Sequence, residues 1–90
     1  MAQSEAAVLA TFVRNGRIIA IPAKRGKRLV LLDHLAQLFD VGVRYGEPEV
    51  NRILNSMHPD HATLRRYLVD EGLLGRDHGE YWRTGGAVEF

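Results

Sequence analysis

Apolar residues change their spacing several times along this chain, and each change marks an element. Residues 1–8 are small and mostly polar, which reads as a frayed segment or a short helical lead-in. Two β-prone runs, Thr11–Arg14 and Arg17–Ile21, then flank Asn15-Gly16. That pair suits a type I′ turn, because both central positions need positive φ. The pattern predicts a short hairpin, stopped by Pro22, which has no amide hydrogen to give a ladder. From Lys27 to Phe39 the period becomes helical, with Leu31, Leu35, Leu38 and Phe39 on one stripe and Leu32 beside it. Asp33, His34 and Gln37 mark the wetter side, and Gly42 stands just past the end.

Val43, Arg44 and Tyr45 alternate as a very short strand does, and Glu47-Pro48 opens a second helix. Proline at the first helical position loses no hydrogen bond, and Glu49 complements the positive end of the helix dipole. Val50, Ile53, Leu54 and Met57 form the buried stripe, and Pro59 ends the helix at His58. Asp60 caps a third helix that runs to about Glu71, with Leu64 and Leu68 inward and Tyr67 a further candidate. Gly72 followed by Leu73 is the pattern of a Schellman stop. Leu73 to Arg83 reads as a hairpin around Asp77-His78-Gly79. About three residues separate the second and third helices, a helix-turn-helix spacing. The expected fold is α+β: a winged helix-turn-helix with a three-helix core, a C-terminal β-hairpin wing and an N-terminal β-hairpin. Residues 11–83 form that domain, between a flexible lead at 1–10 and a disordered tail at 84–90.

Composition narrows the classes. With 46% hydrophobic and 26% charged residues, the 90-residue chain has material for one core and none to spare for a large enclosed cavity. The absence of cysteine excludes disulfides and thiolate metal sites. No stretch approaches the length of a membrane span, and no signal peptide is evident, so the expectation is a cytoplasmic protein without membrane contact. The net charge of +1 is unremarkable, but its distribution is uneven. Arg14, Arg17, Lys24, Arg25, Lys27 and Arg28 crowd into residues 14–28 with no acid among them. Such a cluster either tracks phosphates or forms a solvated face.

With the third helix in a major groove, its leading and outward side chains meet bases and phosphates; these are His61, Thr63, Arg65 and Arg66, with Tyr67 a further candidate. An arginine fork can engage guanine in two hydrogen bonds. Neighbours on a helix stand about 100° apart, so at most one of Arg65 and Arg66 reads a base. The other contacts phosphate or pairs with Asp60, Asp70 or Glu71. Lys24, Arg25, Lys27, Arg28 and Arg76 complete the expected DNA-binding set. The hairpin tip, Asp77-His78-Gly79-Glu80, is acidic, which makes a short and mainly structural wing the expectation.

Gly16-Arg17-Ile18, Ile21-Pro22-Ala23-Lys24, Tyr45 to Asn51, Leu64 to Asp70 and Tyr81-Trp82-Arg83 occur in an order that resembles a bacterial domain-of-unknown-function family. The resemblance covers Phe12 to Arg83. That family occurs alone or attached to helix-turn-helix transcriptional regulators, so the resemblance implies nucleic-acid binding without naming a site. Asn51, Arg65, Arg66, Asp70 and Trp82, which mark the family, equally suit core ion pairs and wing packing.

Other chemistry finds less support. His58 and His61 flank Pro59-Asp60, but the pair straddles a turn and no third ligand has a matching spacing, so no metal or other cofactor is expected. Ser4 and Ser56 lack a nucleophile-elbow setting, and no glycine loop suits phosphate, so no enzyme is expected. The leading expectation is a DNA-binding transcriptional regulator domain that binds double-stranded DNA, with a homodimer as a possible form. The alternatives are a winged-helix protein-interaction or dimerisation module without direct DNA contact and, more distantly, an effector-sensing domain.

Overall fold

The computed structural model describes residues 4–84. The first element is a helix, α1 (Glu5–Phe12), the helical one of the two readings of the lead, and it runs on into the first residues expected of the hairpin. Ser4 caps it by accepting from the Ala7 amide at 3.2 Å, and the Thr11 hydroxyl donates back to the Ala7 carbonyl at 2.9 Å. Residues 5–10 of the expected flexible lead therefore belong to a helix, and Thr11 is helical where a strand was expected. Val8 is buried and Leu9 packs on the core, which is the gain that draws this alanine-rich stretch onto α2.

The N-terminal hairpin is present but shorter than expected: β1 (Val13–Arg14) pairs with β2 (Arg17–Ile18). Asn15 (φ 53°) and Gly16 (φ 73°) make the turn in the left-handed region that its geometry demands. The hairpin then docks on the end of another helix. The Ile18 amide donates to the Met57 carbonyl at 2.8 Å, and Arg17 donates to the Ser56 carbonyl at 3.2 Å. Those contacts satisfy carbonyls that a helix end would otherwise leave open.

Helix α2 (Arg25–Ala36) starts two residues earlier and ends three residues earlier than its apolar period suggested. After Ala36 the hydrogen bonds tighten to three-residue spacing, Leu38 to Leu35 at 3.0 Å and Phe39 to Ala36 at 3.1 Å. That change of period turns Leu38 outward, to 42% exposure, while Phe39 stays fully inside. The expected stripe is corrected accordingly: Val30, Leu31, Leu32, Leu35 and Ala36 are its buried members.

Strand β3 (Arg44–Gly46) leads directly into α3 (Glu47–Asn55), whose Val50 and Leu54 are buried together with Met57 just beyond its end. Helix α4 (His61–Asp70) is capped by Asp60, whose carboxylate accepts from the Thr63 amide at 3.4 Å. Five residues, 56–60, join the two helices rather than the three expected, because α3 gives way to turns before His58. The Schellman stop forms as its residues indicate: Leu73 donates to Leu68 at 2.9 Å and Gly72 to Val69 at 3.0 Å.

Strands β4 (Leu74–Asp77) and β5 (Glu80–Arg83) close the chain, with β5 between β3 and β4 in an antiparallel sheet of order β3-β5-β4. The architecture is thus α+β, with four helices and two small antiparallel sheets. Its core joins Leu31, Leu35 and Phe39 of the α2 region to Val50, Leu54, Leu64, Leu68 and Tyr81. Thr84, the first residue of the expected tail, is tied down: its amide donates to Leu73 at 3.2 Å and its hydroxyl to Gly72 at 2.9 Å. The rest of that tail, 85–90, lies outside the described residues, as do residues 1–3 of the lead.

Register places Arg44, Trp82 and Gly75 side by side across the three strands. The Arg44 guanidinium lies 4.3 Å above the Trp82 ring, and the indole in turn covers Gly75. A β-carbon at residue 75 would collide with that indole. Gly75→Ala is expected to cost about 1–3 kcal/mol, as overpacked sites do. A thermal melt would read the loss as roughly 4–8 °C per kcal/mol, and an unchanged midpoint would contradict the packing described.

Candidate nucleic-acid interface

Helix α4 presents three kinds of face, and helical spacing sorts the candidate residues among them. Leu64 and Leu68 point into the core. Tyr67 and Glu71 lie on one flank, toward the N-terminus of α2. Arg65 lies on the other flank, toward α3. Ala62, Arg66 and Asp70 remain exposed between the two.

The basic cluster of residues 24–28 meets the first flank. Arg25 grips Glu71 with both arms of its fork, at 3.3 and 2.8 Å. The Arg28 guanidinium stacks 4.5 Å from the Tyr67 ring centroid and donates to the Ala23 carbonyl at 3.0 Å. Both arginines therefore tie α2 to α4. Lys24, the residue that precedes α2, is exposed, and Lys27 is half-buried. What looked in sequence like one cationic run is divided between internal contacts and solvent.

Arg65 is held on the opposite flank. Its guanidinium donates to the Asn51 side-chain oxygen and stands 3.9 Å from the Glu47 carboxylate, and only 24% of the side chain is exposed. Glu47 and Asn51 are four residues apart, so both face α4 from one side of α3. Glu47 also accepts the Tyr81 hydroxyl at 2.9 Å, which brings β5 into the same group. The part-buried ion pair on this helix is that of Arg65, whose partners are residues of α3, while the expected Asp70 pairs loosely with Arg66. Arg66 is the outward one: 83% of its side chain is exposed, and the Asp70 carboxylate is 3.8 Å away.

A cleft of about 450 Å³ runs between α4 and the β4–β5 hairpin. Thr63, Arg65, Arg66 and Asp70 line it from the helix, and Arg76 and Tyr81 line it from the hairpin. Arg76 lies opposite Tyr81 in the sheet, with its guanidinium 5.7 Å from that ring centroid. The hairpin tip is occupied by its own pair, His78 with Asp77 at 2.7 Å. His58 accepts the Asp60 amide at 3.0 Å and so shapes the turn ahead of α4, whereas His61, at the first position of the helix, is half-buried with Nδ1 shielded. Among the described residues no cluster of three or more His, Cys, Asp or Glu could hold a metal ion.

Sequence reasoning named Arg65, Arg66 and Arg76 but missed Glu47 and Tyr81 as parts of this region. The four-residue spacing of Glu47 and Asn51 on α3 was a usable signal. Tyr81 carried none, because nothing local shows where its hydroxyl ends.

The Tyr81 hydroxyl has its pKa raised above 10.0, first by burial and then by its hydrogen bond to the Glu47 carboxylate. Folding therefore favours the protonated phenol. That contribution is complete below pH 10.0 and is lost as pH rises from 10.0 through the raised value. Denaturant titrations above pH 10.0 should show a decline in stability that Tyr81→Phe lacks. Arg65→Ala should cost about 1–3 kcal/mol near neutral pH, because it strands the Asn51 amide and the half-exposed Glu47. Arg66→Ala should change stability by less than about 0.5 kcal/mol, being a surface site. Equal losses for the two arginine variants would contradict the placement of Arg65.

No helix among the described residues is long and apolar enough to cross a membrane. Neither the curated proteins nor the solved structures yielded a match to the chain. Residues 17–83 match the sequence model of a family described as an uncharacterized protein conserved in bacteria (DUF2087). With that match spanning most of its length, the chain belongs to this bacterial family of unknown function.

Proposed function

We propose that the chain is a DNA-binding domain of winged helix-turn-helix type, acting in transcriptional regulation with α4 in the major groove of duplex DNA. One observation carries the reading: the run α2, β3, α3, α4, β4, β5, with β3 paired to β5, is the order of a winged helix. In that arrangement the second helix of the helix-turn-helix pair is the one that enters the groove. Here α4 has an outward face of Ala62 and Arg66, with Thr63 beside them, flanked by the β4–β5 hairpin.

The reading assigns the side chains unequal parts. Arg66 is the base or phosphate contact on α4, and Thr63 and His61 near the helix start are its companions. Lys24 and Lys27 can approach backbone phosphates beside the groove, and Arg76 can do so from the hairpin. Arg25, Arg28 and Arg65 act mainly by holding α4, since Glu71, Tyr67 and Asn51 already engage them. A single module of this size reads few base pairs, so a homodimer on two half-sites is part of the proposal.

A second reading, a protein-interaction module on the same fold, is favoured by the exposure of Leu38, Val41 and Val43 around the α2–β3 connection. Fluorescence anisotropy with a labelled random-sequence duplex separates the two. The DNA reading expects binding at low salt whose logarithm falls linearly with the logarithm of salt concentration. No association at micromolar protein, or binding indifferent to salt, would overturn it in favour of the interaction module.

A further inference from the structure

The cleft between α4 and the β4–β5 hairpin is lined by three guanidiniums, of Arg65, Arg66 and Arg76, against the single carboxylate of Asp70. Among the described residues, Arg66 and Arg76 are the less committed two of the three. Arg65 is committed to Asn51 and Glu47. Arg76 is exposed, and its guanidinium stands 5.7 Å from the Tyr81 ring centroid, a contact that uses no N–H hydrogen bond. Among the described residues Arg66 has a loose contact with Asp70, and a solvent-exposed pair of that kind contributes little. An arginine on each wall of a cleft suits a tetrahedral oxyanion, whose oxygens can accept from both sides at once.

We propose that this cleft is a seat for a phosphodiester, gripped by Arg66 from α4 and by Arg76 from β4, with the Thr63 hydroxyl as a further donor. The proposal rests on the nucleic-acid reading above and names the part of the ligand that the cleft takes. A lone phosphate would fill only a small part of about 450 Å³, so a segment of sugar-phosphate backbone is the occupant that matches the space. Ala62 and Val69 supply an apolar lining against which a sugar can lie. Asp70 stands at the same cleft and opposes the anion. The seat therefore works against one built-in repulsion, which limits its affinity.

The test combines two titrations of the intact chain. In the first, anisotropy of a labelled duplex is followed over a range of salt for the wild type and for Arg66→Ala, Arg76→Ala, Asp70→Asn and Arg44→Ala. Arg66→Ala and Arg76→Ala should each weaken binding about tenfold and lower the salt slope by about one, the loss of one phosphate contact. Asp70→Asn should tighten binding severalfold. Arg44→Ala, on the other face of the sheet, should leave the slope unchanged. In the second, inorganic phosphate replaces chloride at constant ionic strength while arginine Nε–H signals are recorded by NMR. Shifts confined to Arg66 and Arg76 support the seat.

The outcomes separate the two proposals. Duplex binding with slopes unaltered in both arginine variants would overturn the seat and leave the nucleic-acid reading standing. Phosphate shifts at Arg66 and Arg76 without any duplex binding would keep the seat and overturn the nucleic-acid reading. Silence in both titrations would overturn both.

Discussion

The carboxylate of Glu47, at the first residue of α3, is where three elements are held to one another. It accepts the hydroxyl of Tyr81 from β5 at 2.9 Å and faces the guanidinium of Arg65 from α4 at 3.9 Å. Tyr81 is fully buried, so its hydroxyl has to be satisfied inside the protein, and Glu47 is the partner it has. That requirement sets where β5 can stand. Tyr81 lies between Tyr45 and Arg76 in the sheet, and fixing one residue of so short a ladder fixes its neighbours. The Tyr81 ring that lines the cleft beside α4 is thus held by a hydrogen bond to α3.

The same economy governs the positive charge. Arg25, Arg28 and Arg65 each contact the residues that keep α4 in place: Glu71 and Tyr67 at its C-terminal end, and Asn51 on α3. Cations used in this way cannot also carry a continuous positive surface. Two flanks of α4 are braced, and its outward strip keeps Arg66, which lines the same cleft as Arg76 of β4. On the proposed reading, phosphate recognition is sparse and local, which agrees with a net charge of only +1.

Much of the framework was legible in the chain because its signals are local. Asn15-Gly16 and His78-Gly79 occupy the positive φ of their turns, and Asp60, Gly72 and Leu73 cap and stop α4 as their residue types require. Three features escaped. Helix α1 has too little apolar contrast among its alanines to decide between a frayed segment and the helical lead-in that it forms, and its extent to Phe12 depends on Val8 and Leu9 finding α2. Leu38 leaves the apolar stripe because α2 tightens after Ala36, a change of period that residue counting does not register. The candidate site was legible in its arginines but not in their assignments.

The sequence by itself determined the order of the elements from the first hairpin onward, their caps and turns, most of the apolar stripes of the helices, and the pool of basic residues available to a ligand. Each depends on interactions a few residues long, so the chain states them wherever it folds. Tertiary structure decided which arginine turns inward and which outward, and it paired β5 with β3 so that Tyr81 meets Glu47. The physical reason is the distance along the chain. Asn51 and Arg65 are 14 residues apart, Glu47 and Tyr81 34, and Arg25 and Glu71 46, and only packing of the core brings such pairs within reach. Neighbouring Arg65 and Arg66 look interchangeable in sequence. A turn of about 100° on α4 makes one a brace and leaves the other facing solvent.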